Sequence, residues 1–315
     1  MSRFLFIMDP IEQILPDKDT TFAFMLESQG RQHALHYCGI HDLFVHCCVP
    51  HARVRRAEVA RDVPHYHLFE ERIEPLTWFD AVFMRKDPPV DLAYVFATHL
   101  LSLLDRTRTW VMNNPRGLRE ANEKLYALNF PSVIPPSIVT CDIRRLKAFM
   151  EERGGEMIIK PLDGCGGAGV FHLHQHDRNV NALLEMMTAN GGRLIMAQEY
   201  LPAVRAGDKR LLLLDGLPLA AVLRVPREDE HRGNIHAGGT CMGTEITARD
   251  RLIADTLGPR LREDGLYFVG LDVIGGYLTE VNVTSPTGVQ EVDLLNDARI
   301  EAAVIDFVER RIQPR

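Results

Sequence analysis

The sequence has no uninterrupted apolar run near the roughly 18 residues that a membrane-spanning helix requires. Its first ten residues, MSRFLFIMDP, hold one early arginine and a short apolar stretch that ends at Asp9-Pro10. They lack the length and the small-residue cleavage site of a secretory signal peptide. We therefore expect no membrane association, and we interpret RFLFIM as a first buried strand.

The chain also lacks an excess of positive charge and any CxxC pair. It carries 36 Lys and Arg against 43 Asp and Glu, a formal net charge of −7. Nonspecific nucleic-acid binding requires a basic field, so we expect no nucleic-acid partner. The six cysteines, at positions 38, 47, 48, 141, 165 and 241, do not have the spacing of a disulfide framework in a chain this long. A reducing cytoplasm is therefore the expected location.

The 315 residues, 46% hydrophobic and 25% charged, are typical of a globular chain of about two domains. Up to about residue 120, strand-like and helix-like stretches alternate, which predicts a parallel sheet with helices on both faces. One helix is expected to begin behind Asp19 or Thr20 and to end at Gly30. Another is expected over GLREANEKLYALNF, from Gly117, before a proline-rich connector. Strand-like stretches then dominate, which predicts α+β structure with antiparallel hairpins.

The segment KPLDGCGGAGV, from Lys160 to Val170, contains the letters GxGxxG. A strand-like stretch precedes it, but another strand-like stretch follows, so the dinucleotide-binding crossover is not expected. No GK[ST] follows either, which excludes a Walker A loop. A glycine-rich loop between two strands favours a cover over nucleotide phosphates, with Lys160 as a phosphate-binding cation. The alternative is a flexible hairpin tip with a solvated lysine.

The segment MAQEYLP, from Met196 to Pro202, breaks a strand at a point where backbone groups can meet an adenine edge. Glu199 would lie within reach of ribose hydroxyls, although an ordinary strand end is the commoner explanation of this pattern. HLHQH, from His172 to His176, places three imidazoles on one strand face, and we interpret it as a solvated edge strand rather than a zinc site.

Acidic and amide side chains interrupt the apolar hairpin GLDVIGGYLTEVNVTSPTG near the C-terminus. Glu280 and Asn282, two residues apart on one strand, project from the same face. A strict two-residue turn pairs Ile274 with Tyr277 and would set Asp272 opposite Thr279. A three-residue loop or a bulge pairs Ile274 with Leu278 and sets Asp272 opposite Glu280. We predict the second arrangement, because facing carboxylates require a cation and these are the hard oxygen donors that Mg²⁺ takes. A solvated hairpin face is the alternative.

The stretch from Val225 to Thr244 is long, charged and glycine-rich, without apolar periodicity. Such a loop in a compact domain is commonly a functional lid, with a mobile loop of no function as the alternative. Arg224, just before it, and Arg232, within it, could clamp a carboxylate or a phosphate.

Together these features resemble the ATP-grasp fold. Seven stretches in order are similar to those of prokaryotic glutathione synthetases: MDPIEQI, MRKDPP, NEKL, KPLDGCGGAG, GDKR, RGN…AGG and LTEVNVTSPTG. The resemblance spans nearly the whole chain. It implies an N-terminal open parallel α/β domain, residues 1–121, followed by a two-part α+β ATP-grasp domain, residues 122–315. Within the latter, 130–201 would form a smaller lid-like subdomain and 202–315 a larger metal-binding one.

The resemblance also implies a reaction: ATP-dependent ligation of γ-glutamylcysteine and glycine through an acyl phosphate, in a homo-oligomer that is commonly a tetramer. Two Mg²⁺ ions, with Mn²⁺ as the alternative, would be held by Asp272, Glu280 and Asn282. ATP would be bound by Lys124, Lys160, Gly164, Gly166, Gly167, Gln198, Glu199, Tyr200, Leu201 and Asp208. The transferring phosphoryl group and the acyl intermediate would be stabilised by Arg210, Arg224, Arg232 and Asn234. The peptide and glycine pocket would be bordered by Ser285, Pro286, Thr287 and Gly288.

Two other functions are compatible with parts of the pattern. The first is another ATP-grasp amide ligase that joins a different carboxylate and amine; MRKDPP and TSPTG argue against it. The second is a catalytically inactive nucleotide-binding module, which predicts the loss of metal ligands or phosphate-binding cations, and all of these residues are present. The His- and Arg-rich stretch from His46 to Pro75 fits no motif.

Overall fold

The computed structural model describes residues 1–226 and 240–312. Within these residues, no helix combines the length and the apolar character that crossing a membrane requires. The described chain forms three sheets with helices packed against them.

The first sheet has a parallel centre and an antiparallel extension. Its strands are β1 (Arg3–Ile7), β2 (Ala34–Cys38), β3 (Leu43–His46), β4 (Val49–Val59), β5 (Tyr66–Pro75), β6 (Ala81–Met84) and β7 (Trp110–Met112). Strands β2, β1, β6 and β7 run parallel, as predicted. Strands β3, β4 and β5 add an antiparallel extension at the β2 edge, which the prediction did not include.

The antiparallel extension is the stretch for which no motif was found. Its first turn is Cys47-Cys48, and both residues have positive φ, 46° and 64°, as in the tight turns that join hairpin strands. Strand β4 then buries alternate residues, which is the pattern of a strand with one face on the core. The His and Arg side chains of this stretch therefore belong mainly to a half-solvated sheet.

The first helices are α1 (Thr20–Gly30), α2 (Leu92–Leu101) and α3 (Pro115–Glu120). The predicted start and end of α1 are confirmed, because the Asp19 side chain accepts a hydrogen bond from Phe22 N at 2.6 Å. Asp91 caps α2 in the same way.

The helix predicted from Gly117 through Phe130 is wrong beyond Glu120. Ala121 leaves helical geometry, and the Asn122 side chain then accepts hydrogen bonds from the backbone N–H groups of Lys124 and Leu125. Asparagine competes in this way with the helical hydrogen-bond ladder. Only a short 3₁₀ turn, Tyr126–Asn129, follows. The break directs Glu123 and Lys124 toward the interior, where both take part in the site.

The second sheet is small and has a core of its own. It contains β8 (Ser137–Thr140), β9 (Glu156–Pro161), β10 (Phe171–His174) and β11 (Ile195–Gln198) in the order β10-β9-β11-β8, covered by α4 (Ile143–Glu152) and α5 (Val180–Met187). Its buried cluster, with Leu146, Ile159 and Leu184 among its members, is separate from the other two clusters. Strand β10 lies at the edge, as predicted for HLHQH, but it ends at His174, so His176 lies in the turn beyond the strand.

The third sheet shares its core with the first. Its strands are β12 (Asp208–Leu214), β13 (Leu217–Val225), β14 (Thr240–Gly243), β15 (Phe268–Ile274) and β16 (Tyr277–Asn282), and its helices are α6 (Ala248–Asp264), α7 (Val289–Asn296) and α8 (Ile300–Arg311). Leu5 of β1 and Leu271 of β15 belong to one buried cluster. Part of the predicted lid is strand instead, because Thr240–Gly243 pair with Val222–Val225.

Candidate active site

A cleft of about 900 Å³, open mouth included, lies where the small sheet faces the third sheet. Its walls come from the β9–β10 loop, the end of β11, the β15–β16 hairpin and Lys124. All ten residues predicted to bind ATP line it, together with Asp272 and Glu280 of the predicted metal hairpin. The structure therefore gathers these residues in one space, although they span 157 positions of sequence, from 124 to 280.

The β15–β16 hairpin contains the predicted bulge. Ile274 pairs with Tyr277, not with Leu278 as predicted, because the shift lies one pair farther from the turn. Val273 pairs with Leu278, and the register then shifts so that Asp272 pairs with Glu280. Thr279 is the extra residue. On a regular strand, Leu278 and Glu280 would project from the same face, because they are two residues apart. The bulge at Thr279 places them on different faces, so that Leu278 is buried in the core and Glu280 lines the cleft. The predicted juxtaposition of the two carboxylates is confirmed.

The bulge also holds a lysine in the cleft. Lys160, at the end of β9, donates from Nζ to the Thr279 carbonyl oxygen at 3.0 Å. Burial lowers the pKa of Lys160 to about 8, against an opposing effect of the Glu280 carboxylate. Lys124 donates from its Nζ to the Gly164 carbonyl and, at 3.0 Å, to Glu280 Oε1. The Lys124 ammonium group therefore pairs with the Glu280 carboxylate, and the Lys160 ammonium group binds the neighbouring Thr279 carbonyl. Two cations beside one another in this way can receive phosphate oxygens.

The loop between β9 and β10 follows the predicted strand–loop–strand plan. Gly166, Gly167 and Gly169 have φ between 60° and 81°, the left-handed region that glycine adopts at little cost. A Cβ atom at Gly164 would lie 2.6 Å from the Pro161 ring. These glycines allow the loop to fold closely over the cleft.

Beside the hairpin lies a buried four-charge cluster made of Asp208, Arg210, Arg224 and Asp272. Asp272 Oδ1 accepts from Arg210 Nε at 2.6 Å and contacts Arg224 Nη2 at 3.0 Å, while its Oδ2 accepts from Arg210 Nη2 at 3.1 Å. Arg224 also donates to Asp208. Burial alone would raise the pKa of Asp272, but the two guanidinium groups outweigh it and lower that pKa. Burial raises the pKa of Asp208 to about 6, against the effect of Arg224.

The predicted metal ligands differ in how well they can accept a cation. Glu280 is partly exposed to the cleft, and Asn282 donates through its amide nitrogen to the Gly270 carbonyl, with no described residue donating to its side-chain oxygen. Both Asp272 oxygens already face guanidinium groups. Within residues 1–226 and 240–312, no group of three or more His, Cys, Asp or Glu side chains is arranged to hold a metal. The donor set thus fits a Mg²⁺ ion held by one or two side chains and completed by phosphate and water. Coordination by Asp272, Glu280 and Asn282 stays a prediction.

The strand end at MAQEYLP connects the two halves of the cleft. Glu199 N donates to the Pro136 carbonyl, and the Gln198 amide donates to Ser137 Oγ, so this end of β11 is tied to β8. The Tyr200 ring stacks on His172 with ring centres 3.8 Å apart, and His172 contacts Glu156 at 3.0 Å. The first histidine of HLHQH therefore supports a residue that lines the cleft, and the structure gives it an acidic partner.

The loop that contains Ser285, Pro286, Thr287 and Gly288 is held by three charged side chains. Glu123 Oε1 accepts hydrogen bonds from Val283 N, Thr284 N and Thr284 Oγ1 at the start of the loop. Arg85 donates to the Pro286 carbonyl at 3.0 Å, and Arg210 donates to the Thr287 carbonyl at 3.4 Å. Sequence reasoning assigned no role to Glu123 or Arg85, although both occur in the quoted motifs NEKL and MRKDPP. Arg232 and Asn234, predicted to act in catalysis, lie outside the described residues.

Comparison with known protein families gives two adjoining matches. Residues 2–119 match the family described as "Prokaryotic glutathione synthetase, N-terminal domain", and residues 123–297 match "Prokaryotic glutathione synthetase, ATP-grasp domain". The two matches meet near the predicted boundary at residue 121, which itself remains a prediction.

Curated relatives cover almost the whole chain. A glutathione synthetase of Thermosynechococcus vestitus is 47% identical over 96% of this chain and 98% of its own, and one of Coxiella burnetii is 44% identical over 97% and 95%. Among solved structures, D-cycloserine synthetase DcsG superposes with a TM-score of 0.67 at 15% identity, covering 98% of this chain and 99% of that one. At this identity the likeness establishes the fold alone. Together with the match to the ATP-grasp domain, it confirms the expected ATP-grasp architecture. The chain belongs to the prokaryotic glutathione synthetase family.

Proposed function

We propose that this protein joins γ-glutamylcysteine to glycine, with conversion of ATP to ADP and phosphate. The observation that carries the proposal is a cleft in which two lysines, a glycine-rich loop and an acidic hairpin meet beside a buried pair of arginines. Family membership supports ATP as co-substrate and the use of a divalent metal ion. We propose that the metal is Mg²⁺, that two ions take part, and that Mn²⁺ can replace them.

Each part of the cleft contributes to phosphoryl transfer, which depends on positioning and charge neutralisation more than on a covalent nucleophile. Lys124 and Lys160 neutralise the ATP phosphates from two sides, and the glycine loop offers backbone N–H groups to the same anions. Glu280 and Asn282 would hold the metal, which neutralises phosphate charge as ATP binds. Asp272 either joins them as a ligand or orients Arg210 and Arg224 through its ion pairs.

The cysteinyl carboxylate of the peptide attacks the γ-phosphorus of ATP. The bond between that phosphorus and the oxygen bridging to the β-phosphate breaks, so that ADP leaves and the peptide becomes an acyl phosphate. The glycine amine then adds to the acyl carbon, and phosphate leaves as the amide bond forms. Arg210 and Arg224 stabilise the negative charge that develops in both steps. Ser285, Pro286, Thr287 and Gly288 border the peptide and glycine pocket, with Arg210 bonded to the Thr287 carbonyl.

The acyl phosphate is hydrolysed by water, so the site requires a cover until the amine arrives. We assign this task to the stretch between Val225 and Thr240, in which Arg232 and Asn234 would stabilise the intermediate. Replacement of both by alanine would then leave ATP binding mostly intact and raise ATP hydrolysis that is not coupled to peptide formation.

We also propose a homo-oligomer, a tetramer as implied by the resemblance, in a reducing cytoplasm. None of the six cysteines forms a disulfide. Light scattering on the purified chain tests the oligomeric state.

Phosphate release and product mass test the reaction directly. The protein is supplied with Mg-ATP, γ-glutamylcysteine and each of the twenty amino acids in turn. We expect phosphate and a tripeptide with glycine alone. Turnover with another amine, or with a different carboxylate in place of γ-glutamylcysteine, would support the second candidate, another ATP-grasp amide ligase. No turnover with any combination, despite measurable ATP binding, would contradict both.

A further inference from the structure

Arg85 is a buried arginine whose counter-ion is not found in the described structure. It follows β6 and keeps only 4% of its surface exposed. Within residues 1–226 and 240–312, no carboxylate lies within ion-pair distance of its guanidinium group. Asp19 and Asp87 are close enough to raise its pKa, but burial dominates and lowers that pKa to about 10, so Arg85 stays charged at neutral pH.

The guanidinium group of Arg85 makes hydrogen bonds along one edge and contacts two aromatic rings. Nε donates to Thr21 Oγ1 at 3.1 Å and Nη2 donates to the Pro286 carbonyl at 3.0 Å. The rings of Phe24 and Phe268 lie 5.5 and 5.8 Å from its central carbon, within the range of cation–π contact. Arginine carries five N–H donors, and these two bonds use two of them. Nη1 donates to no described residue.

A cation in this position is costly unless an anion compensates it. Buried charges in proteins are normally paired, and two bonds to neutral oxygens compensate a guanidinium only in part. Its planar edge matches the two oxygens of a carboxylate. A residue that is fixed by its protein bonds but lacks an anion has the features of a site that obtains its counter-ion from a ligand.

The location of Arg85 identifies that ligand by chemical class. Arg85 and Arg210 bind the successive carbonyls of Pro286 and Thr287, so they approach one loop from two sides. Packing there is tight: a Cβ atom at Gly270 would lie 3.0 Å from Arg210 Cδ and 3.3 Å from Pro286 Cβ. This loop is the proposed border of the peptide and glycine pocket, and both of these substrates bring a carboxylate that does not react.

We propose that Arg85 binds a non-reacting substrate carboxylate with the edge of its guanidinium group that the protein leaves unbonded, and so determines specificity for acidic substrates. The inference rests on the proposed function and deepens it. The carboxylate belongs either to the glutamyl end of the dipeptide or to glycine, and the two sources are distinguished by substrate analogues.

The test compares Arg85→Met with the unchanged protein on three substrate pairs. The first is γ-glutamylcysteine with glycine. The second replaces the dipeptide by 4-aminobutyrylcysteine, which lacks the glutamyl α-carboxylate and keeps the amine. The third replaces glycine by glycinamide. We expect kcat/KM of the variant to fall about 30-fold or more on the natural pair, the loss expected for a charge-assisted bond. On the pair whose missing carboxylate is the one that Arg85 binds, the variant and the unchanged protein should differ by less than about 3-fold.

Two further variants keep the test decisive. Arg85→Lys retains the buried cation but not its planar fork, and should show the same selective loss at a smaller size, about 10-fold. Lys86→Met removes the neighbouring cation, which pairs with Asp9 instead, and should discriminate among the three pairs as the unchanged protein does.

Equal losses by Arg85→Met and Arg85→Lys on all three pairs would mean that Arg85 only supports the loop, and would overturn the inference while leaving the proposed function intact. Absence of tripeptide formation by the unchanged protein would overturn both.

Discussion

Replacement of Asp272 by asparagine tests whether the four-charge cluster stabilises the fold independently of any metal. The cluster holds two carboxylates and two guanidinium groups, each with less than a tenth of its surface exposed. Asparagine keeps the size of the side chain but removes one negative charge. Arg210 then loses both of its bonds to a carboxylate, and Arg224 keeps only Asp208.

The expected loss of stability is large. Breaking a buried ion pair by removing one partner costs about 3–5 kcal/mol, because the remaining charge stays buried. For a cooperative unit of roughly 150–250 residues, each kcal/mol lowers Tm by about 2–4 °C. Asp272→Asn should therefore lower Tm by roughly 6–20 °C. The pKa of Asp272 is lowered in the folded protein, so this stabilisation is present at pH values above the unfolded pKa and is lost only in acid. Measurements at pH 7 and pH 8 should give the same difference, because Asp208, whose pKa is about 6, is largely ionised at both.

Thermal unfolding with a chelator, and again with excess Mg²⁺, measures the effect. The ion-pair reasoning requires the full difference in the chelator. Asp306→Asn is the matched control, because Asp306 is a half-exposed partner of Arg31 and surface pairs contribute about 0–1 kcal/mol. If Asp272→Asn melts within about 2 °C of the unchanged protein in the chelator, and differs only with Mg²⁺ present, the reasoning is refuted and Asp272 acts chiefly as a metal ligand.

Three further predictions concern other parts of the molecule. Glu280→Gln should cut kcat by about 10²-fold or more and raise the Mg²⁺ concentration needed for activity, since Glu280, which pairs with Lys124, would also hold the metal; a near-normal rate at low Mg²⁺ would contradict this role. Burial and the Glu301 side chain raise the pKa of Asp293 to about 7, so the folded state holds a proton that the unfolded state releases near pH 4. Stability should therefore fall as pH rises through that window, by less than about 1.4 kcal/mol per pH unit because the group is partly exposed. Asp293→Asn should flatten the dependence of Tm on pH from 5 to 8, and an unchanged slope would count against this assignment. Gly117→Ala would ordinarily stabilise a helix by about 1 kcal/mol, but its Cβ would lie 2.3 Å from the Asp264 carbonyl oxygen, so we expect a net loss of about 1–3 kcal/mol, measured by urea unfolding.

Features that depend on neighbours in sequence were predictable. Asp19 caps α1 because its side chain reaches an N–H three residues ahead, and the helix ends at the predicted Gly30. The bulge at Thr279 was predictable because only it, or a longer loop, places two carboxylates opposite each other on one face. The antiparallel extension was not, since an alternating strand such as β4 can pair on either edge of a sheet, and periodicity does not identify its partner.

The break after Glu120 illustrates a second limit. GLREANEKLYALNF has acceptable helix propensity, but the Glu123 side chain bonds to Val283 and Thr284, about 160 residues away. Propensity is a weak prior that such tertiary contacts override. The same contact makes Glu123 a support of the substrate loop, a role that its immediate neighbours in sequence do not indicate.

The sequence by itself determined three features: the order of the seven motifs, the glycine loop, and the spacing of Glu280 and Asn282. Each depends on residue type and short-range spacing, and together they indicated the family. Only the tertiary structure decided which charges meet. Asp272 pairs with Arg210 across 62 positions, and Arg85 reaches Pro286 across 201. The physical reason is that an ion pair depends on which faces are buried together, and local sequence does not specify the partner of a buried face. The sequence therefore predicted which residues belong to the site, and the fold determined which of them hold one another and which remain available to a substrate.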